Sequence, residues 1–515
     1  MRTRTWITVA AVLAALALAG CGAEDGQGDA GPAAGRDTIR FVTPYRVKSL
    51  DPVTQGLWAP EWGYGELLMR ATEEGRVEPW LLERLDTADA VTWTLTLRRG
   101  VRFQHGAVLD AAALKAVLDR ALAGSGLLAA NLPGATTAVG GEWTVTLRAT
   151  APVANLPHLL ADEQGAVVYD PAAVPPGTDP ATLIGKGVYT GPFEVTALTA
   201  DEMTLTRDPD YWGGHVGLAQ ARVRFVPDGQ ARVLAVRNGE ADVALYPPTE
   251  LVRQPGGGAT AVAARQPLQQ LRAIFNTRTA TMRDEAVRRA FALGVDYRQI
   301  AEDVLDGLYT TATGLYPQVA GYAVAAQRTD AAEAGHLLES AGWRMGGDGV
   351  RAKDGQRLTV ALLTYPQQPD TKTIAVAMQA QLKPVGFDVQ ISEVDSNYEA
   401  MKRPSGWDVG LSFDGTLGYT YDPIAPLRDF LTTRGAKNFG AVSDAELDRL
   451  VTAVGSTVDD AARRPLLVRA QEQIAAHGYT VVVAHRSSKA VVGPAFRGYV
   501  PSSVLHHLTA RTAAG

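Results

Sequence analysis

One cysteine, Cys21, serves a chain of 515 residues. A lone thiol excludes an internal disulfide framework and any paired-cysteine metal or redox site. The chain also lacks His-Glu-x-x-His and Gly-x-Ser-x-Gly, so neither a helix-borne zinc pair nor a serine nucleophile elbow is available for hydrolysis. Its eight histidines are scattered. The adjacent pair, His506 and His507, would point to opposite faces of a strand, which argues against a metal site built by the protein itself. Positive charge is not in excess: the net charge is -6, against a general nucleic-acid role. Beyond the first twenty residues no apolar run approaches the roughly 20 residues needed to span a bilayer, and no internal repeat stands out. What is there suits a large folded protein: 46% hydrophobic and 20% charged residues, with length for two or three domains.

The N-terminus is different in kind. Met1-Arg2-Thr3-Arg4 is basic, Trp6 to Ala19 is nearly continuous apolar sequence, and small residues precede Cys21. These are the three parts of a secretory signal. Leu18-Ala19-Gly20-Cys21 resembles a bacterial lipobox, which implies cleavage before Cys21 and lipidation of its sulfur. The alternative is an ordinary signal peptide with an incidental cysteine. Gly22 to Asp37 holds no large apolar side chain and reads as a flexible tether.

The remainder alternates strands and helices. Val91, Trp93, Leu95 and Leu97 interleave with threonines at the period of a half-buried strand, and Trp143, Val145 and Leu147 repeat the pattern. Asp110 is placed to cap a helix through Leu122 that Gly124 ends. Val223–Val226, a helix from Asp228 to Asn238, and Asp242–Leu245 form a compact β-α-β unit. Leu358–Leu363, Thr371–Leu382, Phe387–Val394 and Trp407–Phe413 repeat that order. Asp284 and Asp296 are expected as helix caps, and Ser443 with Glu446 as a capping box. This order argues for an α/β protein.

Several stretches together resemble family 5 of the bacterial solute-binding proteins, the peptide and nickel receptors of ABC importers. They are TWTLTLRRGVRFQHGAVLDAAAL (92–114), YTGPFEV (189–195), RDPDYWGG (207–214), VLAVRNGEADVAL (233–245), IFNTRTATMRDEAVRRAFALGVDYRQI (274–300), AEAGHLLESAGW (332–343) and LKPVGFDVQISEVD (382–395). The resemblance implies a two-lobed, periplasmic-binding-protein-like (class II) α/β fold with an extra domain inserted in the first lobe and ligand held between the lobes. The expected divisions are a signal peptide at 1–20, a tether at 21–37, first-lobe segments at 38–75, 181–280 and 476–515, an inserted domain at 76–180, and the second lobe at 281–475.

The resemblance also implies site residues. The segment 45–68 lines the family's cleft from the first lobe, and here it offers Tyr45, Trp58 and Trp62 for stacking. The segment 407–427 carries contacts from the second lobe, and here it offers Asp414, Tyr419 and Tyr421. Peptide receptors place an acid a few residues before the Asp-Pro pair; this chain has Tyr419 there, with Asp414 the nearest substitute. Nickel receptors grip an anionic chelate with an arginine from the inserted domain; the matching stretch, 160–171, offers Asp162 and Glu163 but no arginine. Asp422 reads as a turn residue. Acidic loops of this kind suit a cationic or amine-bearing ligand. Trp93, Phe103, Trp212 and Trp343 read as packing residues.

The leading expectation is therefore a monomeric receptor, not an enzyme. It needs no cofactor or bound metal of its own and is anchored outside the membrane through Cys21. It captures a peptide-like or metal-chelate solute for an ABC permease and its ATPase. A solute sensor of the same fold, a secreted hydrolase, and a binding lipoprotein whose cleft has decayed are the alternatives.

Overall fold

The computed structural model describes residues 37–366, 368, 370–414 and 420–514, with the side chain of Asp414 left out. The expected signal peptide, the expected lipidation site Cys21, most of the expected tether, and Tyr419 lie outside the described residues. Within them, no helix is long and apolar enough to cross a membrane.

Two sheets organise the chain. The first has seven strands, in spatial order 260–263, 489–492, 243–245, 38–43, 220–225, 202–207 and 193–198. Thr38–Thr43 runs parallel to both Gln220–Phe225 and Val243–Leu245. These two are the strands of the expected β-α-β unit, joined by the helix Gly229–Arg237 that Asp228 caps through the Ala231 N–H. The acid of the GEADVAL stretch closes this unit: Asp242 accepts from the Arg40 backbone N–H and from its guanidinium, both at 2.9 Å. The second sheet has six strands, ordered 310–311, 480–486, 269–275, 409–414, 359–364 and 388–393. One of its two parallel pairs, 359–364 with 388–393, is joined by the helix Asp370–Leu382; the other is 359–364 with 409–414. A third, four-stranded antiparallel sheet, 82–87, 92–97, 144–148 and 136–141, carries the helix Ala111–Ala123.

Each sheet has its own core. Ile39, Phe41, Trp62 and Phe193 are among the buried residues of the first. Phe275, Phe291, Leu362 and Phe387 belong to the second, and Trp93, Leu95, Phe103 and Leu147 to the third. The chain passes from the first sheet to the second between Ala263 and Gln269, and returns between Arg486 and Lys489. The strands Gln269–Phe275 and Thr480–Arg486, which pair with each other, therefore stand in the second sheet although they fall outside the span 281–475 expected for that lobe. Both are almost wholly buried, and a strand buried on both faces carries no clean apolar–polar alternation to tell which sheet it joins.

Local signals explain most landmarks. Asp110, Asp284 and Asp296 each accept a backbone N–H at the start of a helix. The helix Ala445–Ser456 starts one residue later than a Ser443 capping box requires. Asp444 is the cap, accepting from Glu446 and Leu447, while the Glu446 side chain turns to Arg449 instead. In RDPDYWGG, the Tyr211 hydroxyl and the Trp212 indole N–H donate to the two oxygens of buried Glu66, at 2.5 and 2.7 Å. Burial lifts the Glu66 pKa to about 7, and these donors oppose the rise. In YTGPFEV, Gly191 lies against another stretch of backbone: a Cβ there would stand 2.4 Å from the Gly63 carbonyl oxygen. Gly191→Ala is expected to cost about 1–3 kcal/mol or more, because backbone cannot step aside as a side-chain tip can. A lowered thermal midpoint checks this.

Candidate functional site

The site is a cavity of about 320 Å³ walled by strands of the second sheet, by the segments that follow Thr38–Thr43 and Val243–Leu245 of the first, and by the segment that carries Glu163. A larger cavity, of about 540 Å³, lies under the C-terminal segment near Trp80, Trp212 and His506, but it draws no residue from the second sheet. Only a cavity with walls on both lobes can gain contacts when lobes close, so the smaller one is the functional candidate.

Its first-lobe wall is aromatic. Tyr45 is 48% exposed and lies 5.0 Å from the Tyr246 ring and 6.3 Å from the Trp58 ring, centroid to centroid. Trp58 opens the one-turn helix Trp58–Glu61, and its indole N–H donates to Gln55. Tyr246 follows the strand Val243–Leu245 in the left-handed region, at φ 51°. Buried Arg232 holds it there, donating to the carbonyls of Val226, Leu245 and Tyr246 at 2.8, 3.1 and 2.6 Å. The Tyr246 hydroxyl meets His507 Nε2 at 3.2 Å.

The second-lobe wall presents a cation. Arg486 ends the strand Thr480–Arg486. Its Nε donates to Gln269 at 2.7 Å and its Nη1 to Gln368 at 2.9 Å, and the guanidinium lies 4.1 Å above the Phe413 ring. Among the described residues it makes no ion pair. Lys489, just past the crossing, stands over the Tyr309 ring at 4.7 Å. Burial, with Arg486 adding, lowers its pKa to about 8.

Two carboxyls complete the lining. Glu61 is 2% exposed, and its Oε1 has no hydrogen-bond partner. His507 Nε2 is 3.9 Å from that oxygen. Burial, with His506 beside it, drops the His507 pKa to about 3, so the imidazole stays neutral and the contact is not an ion pair. Burial raises Glu61 well above the usual carboxylate range, and Glu163 adds to the rise. Glu163 itself is lifted to about 8 by burial and by Asp162.

Of the residues expected from sequence, Tyr45 and Trp58 line the cavity. Trp62 does not. It is 0% exposed, its ring 5.4 Å from Phe41 and 5.9 Å from His507, inside the first core. The short helix ends at Glu61, and Gly63 turns the chain at φ 67°, so the two tryptophans do not share a face. Tyr421 is also buried, at φ 57°. Its ring faces the Gly75 turn, and its carbonyl accepts from the Tyr322 hydroxyl at 3.1 Å. Asp414 ends its strand next to Phe413, which lines the cavity. Asp422 is a turn residue that also bridges: it accepts from the Ile424 N–H and from Asn155, each at 2.8 Å. Sequence reasoning missed Glu61, Tyr246 and Arg486. A charged residue at the carboxyl end of an apolar strand was the one available signal for Arg486, since α/β ligand sites gather at such ends.

Two α/β lobes, joined by two crossings and sharing a charged, aromatic cavity, define a two-lobed solute-binding fold. The family of bacterial extracellular solute-binding proteins, family 5 (middle), matches residues 76–438, and the chain belongs to that family. It is similar to the nickel-binding periplasmic protein of Escherichia coli K12, with 27% identity over 471 residues covering 86% of this chain and 88% of that one. It is also similar to the oligopeptide-binding protein OppA of Mycobacterium tuberculosis H37Rv, with 27% identity over 329 residues covering 60% of this chain and 54% of that one. Among solved structures, a nickel ABC transporter protein of Bacillus halodurans superposes with a TM-score of 0.79 at 26% identity, covering 93% of this chain and all of the other.

Proposed function

We propose that this chain is the capture component of an ABC importer, held outside the membrane through lipidated Cys21. It would close its lobes on a peptide-like or metal-chelate solute and deliver it to a permease driven by an ATPase. The observation that carries this reading is the cavity itself, with Arg486 on the second lobe and Tyr45, Trp58 and Glu61 on the first. The relatives named for nickel and for oligopeptides support the solute class. Tyr45 and Trp58 would stack on the solute, and Arg486 would hold an anionic group. Asp414 and Tyr419 would add contacts from the segment after Phe413. Closure needs only a solute that binds the closed arrangement better than the open one.

The test is uptake by the native host. Deleting the gene is expected to abolish uptake of labelled nickel–histidine or of a labelled tripeptide, and the wild-type chain to restore it. Cys21→Ser is expected to release the protein from the membrane fraction. Unchanged uptake of both solutes after deletion contradicts the proposal.

A further inference from the structure

The residues around the start of the helix Leu156–Ala161 reach across to the second lobe. The Ala154 N–H donates to the Gly455 carbonyl at 2.9 Å. Asn155 Nδ2 donates to Asp422 Oδ2 at 2.8 Å, and His158 Nδ1 to the Thr420 carbonyl at 2.7 Å. A carbonyl oxygen only accepts, so the proton of that last bond sits on Nδ1. Asn155, Thr420 and Asp422 are 3%, 4% and 5% exposed, so these bonds are nearly dry. The other Asp422 oxygen is taken by the Ile424 N–H.

The two sides of this contact belong to different bodies. Leu156, Leu159 and Leu160 pack in the core of the third sheet. That unit is fixed to the first lobe: Gln104 donates to the carbonyls of Gly191 and Phe193 at 2.9 and 2.7 Å, and Glu66 bridges to Val168. Opposite, Thr420 and Asp422 lead into the helix Ile424–Leu431, and Gly455 lies in the last turn of Ala445–Ser456. Both helices pack against Val482 of the second sheet. Neither Asn155 nor His158 lines the solute cavity. Elsewhere between the lobes, Thr249 donates to Asp370 at 3.2 Å and Arg253 pairs with Asp306. That pair is 53% and 43% exposed, where water and salt weaken it. A buried carboxylate behaves differently: a small parting of the lobes would strip Asp422 of its donor before water could replace it.

We infer that these three bonds form a clasp that holds the two lobes together with no solute present, so that the unit built on the third sheet sets how often the cleft opens. The inference concerns the solute-free fold and stands whichever solute the cavity takes. Affinity for a protein with one binding-competent state scales with the fraction already in that state. Loosening the clasp lowers the closed fraction, and with it the affinity for every solute by the same factor. Solute enters and leaves during openings, so loosening also speeds release.

The test uses the full chain carrying Cys21→Ser, which leaves no other cysteine. Spin labels go on Val139→Cys in the third sheet and Val376→Cys in the helix Asp370–Leu382, both exposed positions. Pulsed electron spin resonance reads the distance between them without solute. The parent is expected to give one narrow distribution, unchanged by nickel–histidine or a tripeptide mixture. Asn155→Leu/His158→Leu, apolar and unable to donate, should add longer distances. The swap Asn155→Asp/Asp422→Asn restores a donor facing an acceptor and should stay narrow. A thermal melt identifies any variant that fails to fold, and Asn155→Leu alone then takes its place. For whichever probe the parent binds, calorimetry should show a roughly tenfold loss in the Leu pair, the scale of a lost buried hydrogen bond to a charge, and the same loss for both probes. A parent already broad without solute overturns the clasp, as does a folded Leu pair that stays narrow. Affinity lost for one probe and kept for the other would make Asn155 and His158 solute contacts instead, and overturns it too.

Discussion

Arg486→Ala lowers affinity for an anionic solute by roughly ten- to a hundredfold, which corresponds to the loss of one charged hydrogen-bonding group worth about 1.5–3 kcal/mol. Arg486 is already aimed. Gln269 and Gln368 hold two of its nitrogens, and Phe413 supports its plane. A solute carboxylate therefore meets a donor whose rotamer entropy has already been lost. Arg486→Lys is not expected to rescue binding, because an ammonium neither stacks on Phe413 nor forms a planar fork. Lys489 stays behind on the far side of the crossing, over Tyr309, and softens the loss without replacing the geometry. The fold should hardly notice, since Arg486 is the last and least buried residue of its strand. Isothermal calorimetry beside a thermal melt separates the two effects. An unchanged dissociation constant in Arg486→Ala would place the anion elsewhere.

The two tryptophans of the first-lobe segment separate binding from stability. Trp62→Ala empties a fully buried indole site between Phe41 and His507, and a loss of about 3–5 kcal/mol is expected. Its thermal midpoint should fall sharply, and whatever folded protein remains should keep the solute preference of the wild type. Trp58→Ala removes a cavity wall instead. Its midpoint should stay near the wild-type value while solute affinity drops about tenfold, the scale of one aromatic contact. A Trp58 variant that loses stability rather than affinity, or a Trp62 variant with the reverse pattern, would exchange their assigned places.

Much of the fold was legible because its signals are local. Threonines alternating with Trp93, Leu95 and Leu97 mark a strand with one buried face, and the structure pairs it at 92–97. Aspartates at 110, 228 and 284 mark helix starts, and each accepts the expected backbone N–H. The β-α-β unit around Asp228 followed from the same rules. The register error at Ser443 has a small cause: Ser443 and Asp444 are both good caps, and the sequence does not choose between neighbours.

The cavity was less legible because its walls are far apart in the chain. Glu61, Glu163, Tyr246 and Arg486 meet only after two crossings bring the sheets together. Trp58 and Trp62 look alike as aromatic residues in one loop, and only the position of the turn at Gly63 separates wall from core. In sequence Arg486 stands two residues past the apolar run of a strand, Tyr479–Ala484. Its meaning appears once that strand is placed in the second sheet, with its carboxyl end at the crossing.

The central claim is that the cavity between the lobes is where solute sits. Native mass spectrometry of the chain from Thr38 onward, purified gently from its own host, tests this most directly when run beside the Trp58→Ala/Arg486→Ala double variant. The account predicts one peptide or metal chelate per wild-type chain and none on the folded double variant. Equal retention of the same solute by both would contradict it.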